Sequence, residues 1–223
     1  HTWREPIRLS GKLIGAVKNK PIVLEDGTWL SPSSSEADGW TVHVERSTNR
    51  GQSWELIGPL NDGHQLPAIQ PTLLTHANGR VQLLARSQTK KIVESTSEDG
   101  GLTWSPLVDS ILPNNNSGID AVTLADGRFL LVYNHSTRGQ PGMGHKGRGI
   151  MNVALSTNGK DWEAALVLDY LDQPNKHFAY PSVIQTADGL VHIVYTWHRK
   201  RIKHVVLDPD ALETVPIRNG VWP

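Results

Sequence analysis

Short apolar runs separated by turns rich in Gly, Asn, Asp and Pro fill the chain, and no unit carries an apolar stripe at the helical period. The pattern therefore predicts strands. Pairs of runs rich in β-branched and aliphatic residues flank an Asp-Gly or Asn-Gly step, as Pro21 to Leu24 and Thr28 to Leu30 do, or Ala121 to Leu124 and Phe129 to Tyr133. That step signals a hairpin because its turn needs positive φ, which glycine adopts without steric cost. It recurs at Asp26-Gly27, Asn78-Gly79, Asp126-Gly127 and Asp188-Gly189, at intervals of 52, 48 and 62 residues.

A third run follows each hairpin: Thr41 to Glu45, Lys91 to Glu94, Ile150 to Leu155 and Arg201 to Leu207. Three of these lead into a second repeated motif, Ser47 to Trp54, Ser97 to Trp104 and the shorter Ser156 to Trp162, and a fourth run follows each Trp. Four strands in a unit of about 50 residues is the pattern of a propeller blade. The expected fold is all-β, a β-propeller of four-stranded antiparallel blades, and the 223 residues supply about four blades. We read residues 1–223 as a single, partial propeller domain, because His1-Thr2-Trp3 looks like the tail of an earlier blade. An open ring would leave strand edges that favour self-association.

Charge narrows the partners. The 22 basic and 22 acidic side chains cancel, which removes the long-range pull of a nucleic-acid binder. No apolar run approaches the roughly 18 residues that cross a bilayer as a helix. The absence of Cys excludes disulfides and thiol chemistry. The histidines form no HExxH or other metal signature, so no metal or cofactor is expected. The basic run His198 to His204 reads as a hairpin with charges on its solvent face. Asn115-Asn-Ser117 and Asn134-His-Ser136 match the glycosylation sequon, a pattern that chance produces often. The compartment stays open, with a secreted or periplasmic location favoured.

Residues 97–104 match the Asp box, Ser-x-Asp-x-Gly-x-Thr-Trp, at every defined position, and residues 47–54 match with Asn for Asp and Ser for Thr. With this spacing the chain resembles the sialidase (neuraminidase) superfamily over residues 1–208. The stretch Ala179 to Trp197 is similar to bacterial proteins called predicted neuraminidases. The resemblance implies a six-bladed propeller. It also implies that the boxes lie on outer hairpins, where Asp99, Asn49 and Asn158 satisfy loop amides and Trp54, Trp104 and Trp162 pack between strands.

The first run of each unit should be innermost, and the repeat makes its first positions equivalent. This places Lys20, Gln70, Asp120 and Tyr180 near one rim. The resemblance further implies three arginines on a sugar carboxylate, a tyrosine nucleophile assisted by a glutamate, and an aspartate acid/base. A guanidinium fork makes two parallel hydrogen bonds to a carboxylate, which lysine cannot copy. The segment around Arg86 resembles that of the second arginine, Arg148 to Ser156 that of the third, and Ala179 to Ser182 that of the nucleophile, Tyr180. Arg138 lies in the same Gly-rich loop as Arg148 and competes with it. His135 and His198 follow second strands and are further candidates, with a packing role as the alternative.

This chain departs from the pattern in two respects. The first arginine and the acid/base belong to blades that would precede residue 1. Gln70 stands where the assisting glutamate is expected, and an amide cannot accept the tyrosine proton. Asp120, one blade on, is the candidate replacement, with a structural aspartate the alternative; Glu36 is a weaker candidate. The leading expectation is an exo-acting, sialidase-like glycoside hydrolase that removes a terminal acidic sugar from a glycan. Two alternatives stand beside it: a lyase or other glycosidase acting on uronate-containing glycans, and a carbohydrate-binding propeller without catalysis.

Overall fold

The computed structural model describes every residue except 1, 4, 10 and 174–176. The reading that rested on His1 thus lies outside the described residues. Strands β1 (Ile22–Val23), β2 (Trp29–Ser35), β3 (Thr41–Ser47) and β4 (Glu55–Ile57) form the first antiparallel sheet in chain order. The second is β5 (Ala68–Thr75), β6 (Val81–Ser87), β7 (Lys91–Ser97) and β8 (Val108–Pro113). The third is β9 (Asp120–Thr123), β10 (Phe129–Tyr133), β11 (Ile150–Ser156) and β12 (Glu163–Tyr170). The fourth holds β13 (Phe178–Gln185), β14 (Val191–Trp197) and β15 (Arg201–Leu207). The innermost strands β5, β9 and β13 lie side by side, so the sheets are successive blades of a β-propeller.

One blade departs from the expected four strands. The fourth has three, because the chain after β15 turns back. Its last strand, β16 (Val215–Pro216), instead pairs with β12 as a fifth strand of the third blade. The tail after it is ordered by packing. Arg218 bridges to Val221, and Trp222 packs against the core between the second and third blades.

Period-two alternation explains the packing. Phe129, Leu131 and Tyr133 of β10 meet Leu74, Leu84 and Ile92 of the second blade, while Leu130 and Val132 face Val183 and Ile193 of the fourth. A strand buried on both faces reads as a continuous apolar run, as this one does. Leu30, Val42 and Val44 meet Leu73, Leu83 and Ala85 between the first two blades. The fourth blade buries one face only; Ile184, Val194, Ile202 and Val206 are exposed on it.

The hairpin turns are built alike. Gly27, Gly79, Gly127 and Gly189 have φ of 83°, 80°, 87° and 85°. In each turn the preceding Asp or Asn accepts the backbone N–H two residues on, at Thr28, Arg80, Arg128 and Leu190. The Asp boxes sit at this same end of the blades. Asp99 accepts from Ser97 Oγ, Leu102 N, Thr103 N and Thr103 Oγ1, which together hold its carboxyl down at about 2. Trp104 donates to the Gly101 carbonyl, closing the loop.

Candidate active site at the other rim

The opposite rim carries the first positions of the innermost strands and the β2–β3, β6–β7, β10–β11 and β14–β15 loops. Three of the four equivalent positions come from innermost strands that pack directly on one another. Near this rim, Lys18, Lys20, Asp120 and the β13 backbone tie all four blades together.

Asp120 is the hub. It is fully buried. Lys20 Nζ donates to both of its oxygens at 3.0 Å, Thr72 Oγ1 to Oδ1 at 2.9 Å, and Val183 N to Oδ2 at 2.9 Å. Its own strand adds Ala121 N at 2.9 Å. These donors come from all four blades, and together they leave no carboxylate oxygen open to a substrate. Lys20 is tied to the same carboxylate and to the Ala121 carbonyl. Lys18, which sequence reading passed over, crosses from the first blade to the Ile119 and Pro181 carbonyls. Burial lowers its ammonium to about 8 against the raising effect of Asp120, and Lys20 and Arg86 lower it further.

Gln70 and Tyr180 share a backbone feature that the other two equivalent positions lack. Both have positive φ, 55° and 53°, and both sit in a β-bulge where two residues oppose one. A bulge inserts an unpaired residue and re-aims its side chain, and bulges gather beside active sites. Tyr180 is 45% exposed. Its ring lies over Gly118, where an added methyl would come within 3.1 Å of Tyr180 Cδ1 and 2.6 Å of Lys18 Cε. Gln70 is half-buried, and its Oε1 is enclosed without a hydrogen-bond partner.

Arg148 stands within electrostatic reach of both Tyr180 and Arg86. Arg86, at the end of β6, pairs across the sheet with Ile69, next to Gln70, and its guanidinium lies 5.2 Å over the Trp40 ring. Arg148 is fixed by its backbone: its carbonyl accepts Phe178 N at 2.8 Å, two residues before Tyr180. Burial lowers the Arg148 guanidinium, Tyr180 raises it, and Arg86, Arg199 and Arg138 lower it further. Tyr180 and three other arginines thus stand within electrostatic reach of this one cation. Nε of both Arg86 and Arg148 is buried without a hydrogen-bond partner, and no carboxylate among the described residues pairs with either. A cation taken out of water without a counter-charge is expensive to hold, and an anion between these two side chains could supply one.

The histidines divide. His135 belongs to packing: it is buried, its Nδ1 meets the Tyr133 hydroxyl, its Nε2 meets the Gly220 carbonyl, and Trp222 stacks edge-on beside it. Burial drives it down to about 4. His198 is buried between Phe178 and Trp197, and its N–H donates to the His177 carbonyl. His177 carried no sequence signal, yet it lies in the cationic group. Burial, then Arg199, Arg148, His145 and His198, lower it to about 4. Arg199, read from sequence only as part of a charged hairpin, stands at the β14–β15 turn beside Arg148. Among the described residues, no cluster of His, Asp and Glu has the makings of a metal site.

The sequence matches the BNR repeat-like domain family over residues 1–193, and the chain belongs to that family. No curated protein matches it by sequence. Solved structures share its fold. The NanB sialidase of Streptococcus pneumoniae superposes with a TM-score of 0.65 at 17% identity, over 86% of this chain and 31% of that one. The intramolecular trans-sialidase of Ruminococcus gnavus gives 0.67 at 18% identity, over 88% and 44%. The α-L-arabinanase of Penicillium chrysogenum gives 0.54 at 18%, over 91% and 67%. The chain thus spans less than half the length of the two sialidases, and it shares their β-propeller fold.

Proposed function

We propose that the Arg86–Arg148–Tyr180 rim binds the carboxylate of a terminal acidic sugar and acts as a sialidase-like, exo-acting glycoside hydrolase site. The observation that carries this reading is a buried Arg86 and a half-buried Arg148, neither paired with a carboxylate among the described residues, together with an exposed phenol. A sugar carboxylate supplies the missing counter-charge, and two forks fix its plane. Arg138 and Arg199 add positive potential, and among the described residues neither pairs with a carboxylate.

In this reading Tyr180 Oη bonds to the anomeric carbon as the glycosidic C–O bond breaks. The phenol's proton is balanced by the proton that the departing oxygen gains, and water then returns the sugar and the phenol. A neutral phenol suits this centre, since an anionic nucleophile would be repelled by the adjoining carboxylate; tyrosine is the recognised exception to the two-carboxylate scheme. Asp120 is assigned to holding the blades together, because its oxygens are already filled by donors.

Gln70 favours a second reading, elimination on a uronate. Gln70 follows Ile69, the strand partner of Arg86, and its amide would help neutralise a carboxylate and acidify the neighbouring C–H, with Tyr180 or His177 as the base. Terminally distinct glycans separate the two. A saturated acidic sugar released by wild type and not by Tyr180→Phe, with binding retained, supports hydrolysis. An ultraviolet-absorbing unsaturated product supports elimination. Turnover unchanged in Tyr180→Phe overturns the nucleophile's role, and binding without turnover by wild type leaves a lectin-like propeller.

A further inference from the structure

Two consecutive residues just before β1, Lys18 and Asn19, join the rim to the first blade. Lys18 lies at the centre of a turn in which Asn19 N donates to the Val17 carbonyl at 2.9 Å, and its own φ is 69°. A bond between residues two apart around a positive φ marks the rare, strained form of γ-turn. Such strain persists only where the surroundings over-determine the backbone, and it gathers at functional sites.

The turn aims its side chains at the two bulges of the rim. Asn19 is buried, and its Nδ2 donates to the Gln70 carbonyl at 3.1 Å and the Pro71 carbonyl at 2.9 Å. Lys18 Nζ donates at 2.8 Å to the carbonyl of Pro181, the residue after Tyr180, and at 2.7 Å to that of Ile119. Its third contact, with Asn19 Oδ1 at 2.8 Å, joins the two arms. Gln70 and Tyr180, both at positive φ, are thus held by one dipeptide. The Lys18 stem and the Tyr180 ring also flank the same small space at Gly118. An ammonium carries three protons, and this one meets three acceptors. A neutral amine would bring two protons and a lone pair to the same three oxygens, so one contact would be lost.

We infer that Lys18 is the positioning residue of Tyr180: its ammonium, tied to the Pro181 and Ile119 carbonyls and to Asn19, fixes the bulge that presents the phenol. Its effect on turnover rests on the reading of Tyr180 above; its effect on the placement of Tyr180 does not. The groups that face it come from each neighbouring element. Burial lowers the ammonium to about 8, Asp120 of β9 raises it, and Lys20 beside β1 and Arg86 of β6 lower it further. Tyr180 is the titratable group of β13, with Arg148 in reach of its phenol, and β5 carries none. The bulge should therefore loosen as pH rises through about 8. Release of this proton does not weaken the fold. Between about 8 and the ordinary 10.5 the unfolded chain keeps a proton that native Lys18 has given up, so this group's contribution to stability rises with pH.

The test follows the chain labelled with ¹³C in its tyrosine rings from neutral pH to well above 8, with Tyr180→Phe assigning Tyr180 among the four tyrosines. The wild-type Tyr180 signal is expected to shift with a midpoint near 8, and the shift is expected to vanish in Lys18→Met. With 3′-sialyllactose as substrate, kcat should fall through the same pH. Lys18→Met should lower kcat at neutral pH by about ten- to a hundredfold, with KM changed less than about twofold. A Tyr180 signal that stays still, or that shifts equally in Lys18→Met, overturns the inference whether or not the sugar is turned over. A signal that shifts as expected in a chain that does not turn over 3′-sialyllactose upholds the positioning role and overturns the sialidase-like reading. A fall in kcat with pH that is matched by a fall in the urea midpoint marks a merely structural lysine and overturns the role. Where Lys18→Met does not fold, wild type labelled also at lysine Cε decides, because the Lys18 and Tyr180 signals must then share one midpoint.

Discussion

Asp120→Asn tests the hub most sharply, because the change is isosteric and every partner of Asp120 is a donor. Lys20 Nζ, Thr72 Oγ1, Ala121 N and Val183 N all point at its two oxygens. Asparagine keeps one acceptor oxygen and turns an NH₂ toward the rest. The Lys20 ammonium, 27% exposed, loses its counter-charge, and Lys18 loses the carboxylate that favours its charged form. Breaking a buried pair by removing one partner costs roughly 3–5 kcal/mol. The partial exposure of Lys20 brings the expected loss toward about 3 kcal/mol, a large share of the roughly 5–15 kcal/mol that holds a domain together. Urea unfolding of wild type, Asp120→Asn and Thr72→Val reads this directly. Thr72→Val should cost about 1–2 kcal/mol, since it removes one hydroxyl from the same hub. A loss under about 1 kcal/mol for Asp120→Asn, with turnover abolished, would refute the structural assignment and return Asp120 to the chemistry.

Other outcomes follow from the same geometry. Arg148→Lys keeps the charge but removes the fork, and isothermal titration should show acid binding weakened roughly tenfold or more. Gly118→Ala places a methyl 2.6 Å from Lys18 Cε and 3.1 Å from Tyr180 Cδ1, so turnover should fall and, because Lys18 is tied to the Ile119 and Pro181 carbonyls, the unfolding midpoint should fall with it. His135 is lowered from 6.5 to about 4, so the unfolded chain takes up a proton that the native state refuses. Stability present above pH 6.5 is then lost as pH falls toward 4, by roughly 3 kcal/mol in all. Unfolding midpoints across that window should decline less steeply in His135→Gln.

The architecture was legible because its signals are local. Asp-Gly turns, Trp-ended boxes and doubly buried runs such as Phe129 to Tyr133 each declare themselves within a few residues. Arg86, Arg148 and Tyr180 were singled out by resemblance, and the repeat gave the rim positions of Lys20, Gln70, Asp120 and Tyr180. What sequence could not say is which rim residue faces inward and which is already satisfied. Asp120 and Tyr180 are equivalent by repeat, yet one is sealed among donors and the other stands on a bulge. His135 drew attention as a site histidine, but the returning tail, with Gly220 and Trp222, claims it for packing. Lys18 and His177 carried no functional signal, because their surroundings depend on segments distant in the chain, 163 residues apart in the Lys18–Pro181 contact.

The account turns on an anion held by Arg86 and Arg148. The direct measurement compares the affinity of the wild-type chain for an acidic sugar with that for the methyl ester of the same sugar. The acid should bind at least about tenfold tighter than the ester, and Arg86→Ala should erase the difference. Equal affinity for acid and ester would contradict the claim.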